Sequence, residues 1–338
     1  MSAKKVLVTG ATGFIGQYVI NELLSRNLHV ISSSTNTGTA SQKEWFAKTE
    51  FIPFNLDEYN ETENYFNYFS QPDFMIHLAW QGLPNYKADF HYTKNLPLQY
   101  SFLKNLIEHG LKDLTVTGTC FEYGMKDGIL NEDMQPAPAN PYSKAKDELR
   151  KEIDSLKNKN NFSFKWVRLF YMYGKGQNPN SLFSQLDKAI ENSDESFNMS
   201  GGEQIRDFLP VEKVAESIVA IALQKDTDGI INCCSGKPVK VKELVKQYLK
   251  NKNSNMKLNL GYYPYPDYEP MEFWGDASKL NKKPERIRVK TVTSAGTAEQ
   301  VLRKLNMPAN RLTELAILNG FNLTDKVEQG TLIKVYGN

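Results

Sequence analysis

Short apolar runs alternate with amphipathic stretches along the first half of the chain. The runs predict six strands, at Val6–Thr9, His29–Ser34, Glu50–Leu56, Phe74–Trp80, Asp113–Thr119 and Phe164–Tyr171. Apolar residues at helical spacing predict three helices between them, at Phe14–Arg26, Phe90–His109 and Ser143–Lys157. Strands that alternate with helices through short loops predict an α/β fold, with a doubly wound parallel sheet covered by helices on both faces.

The pattern is less regular in the second half of the chain. After residue 175 it predicts a helix at Pro210–Gln224, a strand at Ile230–Cys234 and a helix at Lys242–Lys250. The stretch Tyr262–Trp274 is rich in aromatic residues and proline, so it cannot be regular secondary structure throughout. This part of the chain is therefore expected to form a less regular region beside the sheet.

A different pattern begins after the polar linker Lys282–Glu285. The strands predicted at Ile287–Val292 and Leu332–Val335 flank two short helices predicted at Thr297–Leu305 and Arg311–Asn319. A segment of about 55 residues is long enough to fold alone, although only marginally. We therefore expect a small βααβ module at 283–338, separate from a larger domain at 1–282.

Composition and charge exclude several classes of protein. The 338 residues carry 41 Lys and Arg against 39 Asp and Glu, a net charge of +2, which gives no basis for a nucleic-acid or anionic-membrane partner. No apolar run approaches the roughly 18 to 20 residues of a membrane span, and the first residues do not resemble a signal peptide. The three cysteines, two of them adjacent, predict neither a disulfide framework nor a metal site. We expect a reduced, cytoplasmic protein.

A glycine-rich turn joins the first strand to the first helix. Gly10 permits the tight turn, Gly13 lets the backbone approach a pyrophosphate at the positive end of the helix, and Gly16 lets helix and strand pack closely. The position of the three glycines between a strand and an amphipathic helix is typical of a dinucleotide-binding turn.

The end of the second strand bears on the choice of dinucleotide. An acidic residue there would bind the ribose 2′-hydroxyl of NAD, but the chain has Ser32–Asn36 and no carboxylate before Glu44. Hydroxyl side chains tolerate a 2′-phosphate, although no arginine is adjacent to bind one. The pattern favours NADP, with NAD as the alternative.

Tyr142 and Lys146 are four residues apart at the start of a predicted helix, so they share one helical face. An ammonium near a phenol favours the phenolate and lowers its pKa. A phenol with such a pKa can exchange a proton with a substrate oxygen near neutral pH. The spacing alone is common by chance, but Thr119 ends the fifth strand at the carboxyl edge of the sheet, where open α/β proteins bind ligands.

These features together resemble the extended short-chain dehydrogenase/reductase family, in its branch of nucleotide-sugar epimerases, dehydratases and reductases. The resemblance covers residues 4–281 and rests on segments in the family's order: the glycine turn, His77–Ala79, Asn95, Thr119–Gly124, Tyr142–Lys146, Arg168–Gly174 and Arg206–Phe208. It implies a Rossmann sheet with a smaller substrate-binding cap. The dinucleotide-binding part would be about 1–174 and 206–236, and the cap about 175–205 and 237–282.

The resemblance also implies site residues. Thr119 would bind the reacting oxygen, Tyr142 would be the general acid or base, and Lys146 would lower the pKa of the tyrosine and bind the nicotinamide ribose. The expected cofactor-binding residues are Gly10, Thr12, Gly13, Phe14, Ile15, Gly16, Ser33, Asn55, Leu56, Leu78, Ala79, Trp80, Tyr142, Lys146 and Tyr171. For Trp80 a packing role is an equal alternative.

The substrate implied is a nucleotide-diphosphate sugar. The expected substrate-binding residues are Gln81, Thr119, Cys120, Phe121, Asn180, Ser181 and Arg206. Arg206 would bind the diphosphate, because a guanidinium suits phosphate oxygens. The alternative for it is an ion pair with its neighbour Asp207. Tyr262, Tyr263, Tyr265 and Tyr268 could stack on the base, but core packing is the expected place of most of them.

Within the family, the residues after Thr119 separate the reactions. The family's 4,6-dehydratases have an Asp-Glu pair there, whereas this chain has Cys120 and Phe121, so we do not expect a dehydratase. Glu122, one place further, would point the other way in an extended segment. Cys120 as an acid or base for epimerisation is less favoured than Cys120 as a small buried residue.

The favoured function is the reduction of an NDP-4-keto-6-deoxysugar in bacterial deoxysugar and O-antigen synthesis. The alternative is an NDP-sugar 4-epimerase. The alternative of another class is a non-catalytic dinucleotide-binding sensor or scaffold, which the presence of both Tyr142 and Lys146 disfavours. The family also implies a homodimer formed through the helices at Phe90–His109 and Ser143–Lys157.

The C-terminal module resembles a LysM-like module in the segments 295–297, 318–321 and 329–335. It begins with Ala295-Gly296-Thr297 and lacks the acidic residue usual there, which puts glycan binding in doubt. Three origins are open: a natural fusion, an artificial chimera, or a diverged family terminus. The final helix usual in the family is missing at the junction, which favours a chimera or a swapped terminus.

Overall fold

Seven parallel strands form the central sheet of the larger unit. In the computed structural model, residues 4–225, 227–267, 269–282 and 286–337 are described, with the backbone alone at 286, 287 and 337. The strands are β1 (Lys5–Thr9), β2 (His29–Ser33), β3 (Glu50–Phe51), β4 (Phe74–His77), β5 (Asp113–Thr119), β6 (Gly128–Leu130), β7 (Ser163–Leu169), β8 (Tyr171–Tyr173), β9 (Ser196–Asn198), β10 (Ile205–Arg206), β11 (Phe208–Pro210), β12 (Gly229–Cys233), β13 (Val239–Lys240), β14 (Lys257–Asn259), β15 (Phe273–Gly275), β16 (Arg286–Thr291), β17 (Gly296–Thr297), β18 (Lys326–Val327) and β19 (Leu332–Gly337). The sheet has the order β12-β7-β5-β4-β1-β2-β3, so the predicted doubly wound α/β fold is confirmed.

Ten α-helices occur in the described residues. They are α1 (Phe14–Ser25), α2 (Thr37–Ser41), α3 (Tyr65–Tyr68), α4 (Leu96–Glu108), α5 (Pro141–Ser155), α6 (Leu182–Glu191), α7 (Val211–Leu223), α8 (Val241–Asn251), α9 (Ala298–Lys304) and α10 (Leu312–Leu318). None of these helices has the length and apolar character needed to cross a membrane.

Alternating side chains of the buried strands supply the two cores of the larger unit. Val6 and Val8 of β1 face a cluster formed with α1 and α7. Leu7, between them, faces a second cluster formed with α4 and α5. Because successive strand residues point to opposite faces, a nearly continuous apolar strand buries both sides of the sheet.

Three predicted strands are wrong in extent. The strand predicted at Phe74–Trp80 ends at His77. The strand predicted at Glu50–Leu56 ends at Phe51, although the Ile52 and Phe54 N–H groups still donate to the Ser32 and Ser34 carbonyls. The strand predicted at Phe164–Tyr171 divides at Phe170. β7 stays in the central sheet, whereas β8 pairs with β11 at the site.

The helix predicted at Phe90–His109 begins with a wider turn. His91–Asn95 form a π-helical turn before α4 starts at Leu96. Pro97 has no N–H to donate to the carbonyl of Thr93, so an ordinary α-helical turn would leave that carbonyl unpaired. His91 and Asn95, the first and last residues of this π-helical turn, are both buried.

The less regular region of the larger unit has its own core. Helices α6 and α8 pack on β9 and β14, and their shared cluster includes Phe183, Leu186, Phe197, Met199 and Val245. We call this region the cap. It is built from two stretches of chain, separated by β11, α7 and β12.

The chain divides into two units, Met1–Leu280 and Asn281–Asn338. In the second unit, β16 pairs antiparallel with β19, and α9 and α10 lie between them in sequence, so the predicted βααβ order is present. Its core contains Val301, Leu302, Leu315 and Ile333. Lys283, Pro284 and Glu285 of the predicted linker lie outside the described residues.

We expect Gly16→Ala to destabilise the larger unit by about 1 to 3 kcal/mol, because an added Cβ would lie 2.2 Å from the Gly10 carbonyl oxygen. All four tryptophans lie before residue 281, so urea unfolding followed by tryptophan fluorescence measures this unit alone. The control is Gly38→Ala in α2, where the nearest atom is a side-chain oxygen at 3.2 Å. Equal unfolding midpoints for the two variants would contradict the prediction.

Candidate active site

The glycine turn has the geometry that a bound pyrophosphate requires. Gly10 adopts a φ of +72°, and a Cβ there would lie 2.9 Å from the backbone nitrogen of Ala79. Gly13 precedes α1 as its N-cap and has no side chain to accept from the first-turn N–H groups. The positive end of α1 is therefore left to an anion that approaches the turn.

The ends of neighbouring strands complete this edge of the sheet. The Ala11 N–H donates to the Ser33 carbonyl at 3.1 Å, and the Leu78 N–H donates to the Thr9 carbonyl at 3.3 Å. The buried Ser34 hydroxyl has no hydrogen-bond partner among the described residues. A close backbone cradle and an unpaired buried hydroxyl at the end of β2 together fit a dinucleotide whose ribose lies against β2.

Asn55 and Leu56 follow β3 rather than belonging to it. The Asn55 side chain caps the 3-10 turn Leu56–Glu58 by accepting from the Asp57 N–H at 3.1 Å. Leu56 packs partly buried against the α4–α5 core. The Asn55 side-chain oxygen is therefore already used by its hydrogen bond to the 3-10 turn.

The three predicted catalytic residues converge at the ends of β5 and α5. Asn140 caps α5, accepting from the Ser143 N–H at 2.9 Å, and the Tyr142 N–H donates to the Tyr86 carbonyl at 3.1 Å. The Thr119 side chain lies close enough to the Tyr142 phenol to lower its pKa. Lys146, one turn later and 2% exposed, donates to the Thr117 carbonyl at 2.9 Å.

The electrostatics of Tyr142 differ from the expectation. We expected Lys146 to lower the pKa of the phenol, but burial raises it well above its usual value, with Tyr86, Glu122 and Cys120 adding to the rise. The Lys146 ammonium contacts the Thr117 carbonyl and the Trp80 ring, 4.0 Å from the ring centroid. Burial in turn lowers the pKa of Lys146 to about 7. In this arrangement Tyr142 holds its proton across the physiological range.

A buried carboxylate supports the loop that carries Thr119. Glu122 lies in a 3-10 turn, not in an extended segment as expected, and it accepts from the Thr119 N–H at 2.8 Å. Its other partners are the Trp166 Nε1 at 2.9 Å and the Arg168 Nε at 2.7 Å. With no exposed surface, Glu122 is fully engaged in fixing the end of β5.

A cavity of about 1080 Å³ lies between the loop at 84–88, the paired strands β8 and β11, and the cap. Asn180, Ser181 and Arg206, all predicted to bind substrate, line it. Tyr171, predicted to bind cofactor, lines the same cavity, and its hydroxyl bonds to Glu269. The structure therefore places Tyr171 with the substrate-side residues.

Arg206 is held by several acceptors. It donates to the carbonyls of Ile205, Met271 and Pro270, and its Nη2 lies 3.2 Å from Oε1 of Glu269. The alternative interpretation, an ion pair between Arg206 and Asp207, is wrong. The Asp207 carboxylate instead accepts from the main-chain N–H groups of Ser235 and Gly236. Arg206 thus lies on the cavity wall with a defined carboxylate partner.

Cys120 and Phe121 border a much smaller cavity, shared with Asn140 and Glu269. Burial raises the pKa of the Cys120 thiol far above its usual value, and the residue packs in an apolar cluster with Tyr123 and Phe273. This environment favours the interpretation of Cys120 as a small buried residue.

Gln81, also predicted to bind substrate, is tied to the buried Asn95. Its main-chain carbonyl accepts a hydrogen bond from the Asn95 side-chain amide at 3.0 Å.

The expectation that the tyrosines at the rim pack in the core is wrong. Tyr262, Tyr263 and Tyr265 are 58%, 52% and 39% exposed. Tyr263 also lines the main cavity. Tyr268 lies outside the described residues.

Several residues that the motifs did not indicate surround the site. The Tyr142 ring lies 5.5 Å from the Tyr86 ring and 5.3 Å from the His91 ring. Glu269 comes from the irregular stretch before β15, and Tyr86 from the loop after β4. Neither segment has a periodic pattern that could have indicated them, whereas Asn140 directly before Pro141 is a recognisable helix cap.

Comparison with known proteins decides the family. The model of the NAD dependent epimerase/dehydratase family matches residues 6–234, more than half of the chain. The chain belongs to this family. The matched residues of this chain include the glycine turn, Thr119, Tyr142 and Lys146.

Two relatives from Aggregatibacter actinomycetemcomitans act at C4 of 6-deoxysugars, by their names. The dTDP-6-deoxy-L-talose 4-dehydrogenase (NAD(+)) is 29% identical over 271 residues, 80% of this chain and 98% of that protein. The GDP-6-deoxy-D-talose 4-dehydrogenase is 25% identical over 238 residues, 69% of this chain and 74% of that protein. The solved UDP-glucuronic acid 4-epimerase from Bacillus cereus, in complex with NAD, superposes with a TM-score of 0.68 at 24% identity, over 82% of this chain and 91% of that one. At that identity the likeness shows the fold alone.

We expect Glu122→Ala to destabilise the larger unit by about 3 to 5 kcal/mol, because it leaves the buried Arg168 guanidinium without its carboxylate. Glu122→Gln retains an acceptor and should cost less. The control is Glu243→Ala, which removes an exposed ion pair with Lys246 and should change stability by no more than about 0.5 kcal/mol. Urea unfolding followed by tryptophan fluorescence measures all three, and equal losses for the two alanine variants would refute the prediction.

Proposed function

We propose that the protein is an NAD(H)-dependent oxidoreductase that acts at C4 of a nucleotide-diphosphate 6-deoxysugar and reduces the 4-keto form. The observation that carries the proposal is the convergence of Thr119, Tyr142 and Lys146 at the sheet edge that also holds the glycine turn. The cavity lined by Arg206 gives room for the nucleotide sugar. The names of the relatives supply the sugar class and the carbon atom.

Each catalytic side chain has a defined part in this reaction. The dinucleotide supplies the hydride that the carbonyl carbon at C4 accepts. The Thr119 hydroxyl holds the carbonyl oxygen, and the Tyr142 phenol gives that oxygen a proton, so that a keto group becomes a hydroxyl. Tyr142 recovers its proton from solvent. Because burial raises the pKa of Tyr142, the phenol is protonated at neutral pH and carries the proton that reduction consumes.

The residues after Thr119 support a reductase over a dehydratase. Elimination of water needs one carboxyl group as acid and another as base near the sugar. Cys120 and Phe121 hold those positions, and the carboxylate of Glu122 is committed to Arg168 and Trp166. The cavity wall therefore offers no carboxyl pair directly after Thr119.

We infer NAD(H) as the dinucleotide, although the serines at the end of β2 favoured NADP. Asn36 uses its side-chain oxygen to cap α2, accepting from the Thr39 N–H at 2.9 Å. No arginine lies in residues 32–36 to bind a 2′-phosphate. The name of the dTDP-6-deoxy-L-talose 4-dehydrogenase relative includes NAD(+), which supports the same choice.

We expect Tyr142→Phe to lower kcat by a factor of about 10² to 10⁴, since the proton donor is lost while the ring remains. Binding of NADH, followed by its fluorescence, should change by no more than about threefold, because the phenyl ring still fills the site. Tyr92→Phe, at a half-exposed tyrosine, is the matched control and should keep full activity. Full turnover by Tyr142→Phe of every sugar nucleotide tested would sink the catalytic assignment.

Substrate and cofactor are tested with a panel of dTDP-, GDP- and UDP-4-keto-6-deoxysugars, each with NADH or NADPH. Net loss of reduced-nicotinamide absorbance is expected, with kcat/KM for NADH at least about tenfold above that for NADPH. A second panel of NDP-6-deoxysugars that carry a hydroxyl at C4 tests the alternative, since inversion of that hydroxyl without net change in the dinucleotide would instead establish a 4-epimerase. A preference for NADPH would overturn the cofactor assignment alone.

A further inference from the structure

The Lys146 ammonium rests on an aromatic ring that is itself held in place. Its Nζ lies 4.0 Å from the centroid of the Trp80 ring, within cation–π distance. The ring of Trp80 also meets the Tyr142 ring edge-on, with centroids 5.9 Å apart. One indole therefore touches both residues of the Tyr-x-x-x-Lys pair.

His91 fixes the Trp80 ring at the edge that carries the indole N–H. The indole Nε1–H, which can only donate, bonds to Nδ1 of His91 at 3.0 Å, and the two rings stack with an interplanar angle of 21°. Nδ1 must therefore be the unprotonated nitrogen, and the other ring nitrogen donates to the Asn85 carbonyl at 3.0 Å. Each ring atom of His91 that can hydrogen-bond has a partner suited to its neutral form.

The geometry points to Trp80 and His91 as positioning residues for the proposed reaction: His91 orients the indole, and the indole holds the Lys146 ammonium in the catalytic site. This inference rests on the proposed function in so far as Lys146 takes part in catalysis. It differs from the roles expected of Trp80, contact with the cofactor or simple packing. His91 comes from the π-helical turn before Pro97, outside every motif that indicated the site.

The charged and titratable groups that face Lys146 determine the direction of the effect. Glu122 favours the ammonium, whereas burial opposes it. His77 of β4 and His91 both have lowered pKa values and are neutral at pH 7, and Tyr142 keeps its proton. The negative face of the indole thus adds to Glu122 in stabilising the charged form of a buried lysine.

We expect loss of the aromatic ring to lower the pKa of Lys146 below about 7. A group with a lowered pKa loses its charge as the pH rises through that value. The alkaline limb of the kcat profile should therefore move to lower pH by about 0.5 to 1 unit in Trp80→Leu, with a fall in kcat of about two- to fivefold at pH 7. Trp80→Phe keeps an aromatic face without the N–H, so its alkaline limb should stay near that of the wild type.

The same change is measured without any sugar substrate. NMR of full-length protein labelled at lysine side chains gives the pKa of Lys146, whose resonance is assigned by its loss in Lys146→Arg. His91→Leu should broaden or shift this resonance and lower kcat, and His91→Gln, which offers a side-chain acceptor, should restore part of both. Tyr92→Leu, next to His91 but half-exposed, is the control. Urea unfolding of each variant, followed by the remaining tryptophans, shows which are folded.

The outcomes separate this inference from the proposed function. A lower Lys146 pKa in folded Trp80→Leu, with Trp80→Phe like the wild type, supports the inference even where no sugar nucleotide is turned over. An unchanged Lys146 pKa and an unchanged alkaline limb in folded Trp80→Leu would overturn it. Where Trp80→Leu does not fold, the inference requires the same contrast in Lys146 signal between His91→Leu and His91→Gln, and its absence refutes it.

Discussion

The ion pair between Glu122 and Arg168 fixes the part of the molecule on which the catalytic geometry depends. Both side chains are fully buried, and the carboxylate also accepts from the main chain of Thr119 and from the Trp166 indole. Burying two charges is costly, and here the Arg168 guanidinium is compensated through its Nε and by the Tyr123 ring, whose centroid is 4.4 Å away. Since the Thr119 side chain lies beside the Tyr142 phenol, the surroundings of the phenol depend on a carboxylate that does not itself face the cavity.

Much of the fold followed from local pattern. β1, β5 and α5 were predicted within two residues of their observed ends at nearly every boundary, because apolar runs and a proline-preceded helix start are local signals. The strand at Glu50 was overestimated, although its main chain stays bonded to the β2 segment as far as Phe54. Thr119, Tyr142 and Lys146 were predicted from the family resemblance, and the spacing of four residues places Tyr142 and Lys146 on one face of α5.

The environment of those residues could not be predicted in the same way. The contact of Lys146 with Trp80, and of Arg206 with Glu269, joins segments that lie far apart in sequence. Burial, which raises the pKa of Tyr142 where we expected it to fall, is a property of the assembled loops around the phenol. Tyr86 and Glu269 lie in loops without periodicity, and only the folded chain brings them to the site.

The divided construction of the cap has a consequence for synthesis on the ribosome. Asn198 of β9 and Asn259 of β14, which are hydrogen-bonded, lie 61 residues apart, and β11, α7 and β12 are made between them. The last strand of the central sheet is therefore complete before the cap can close its own core. Until β14 emerges, Phe183 and Phe197 lack the α8 and β14 side chains that bury them, so the growing chain exposes this apolar surface for the time needed to add the intervening residues.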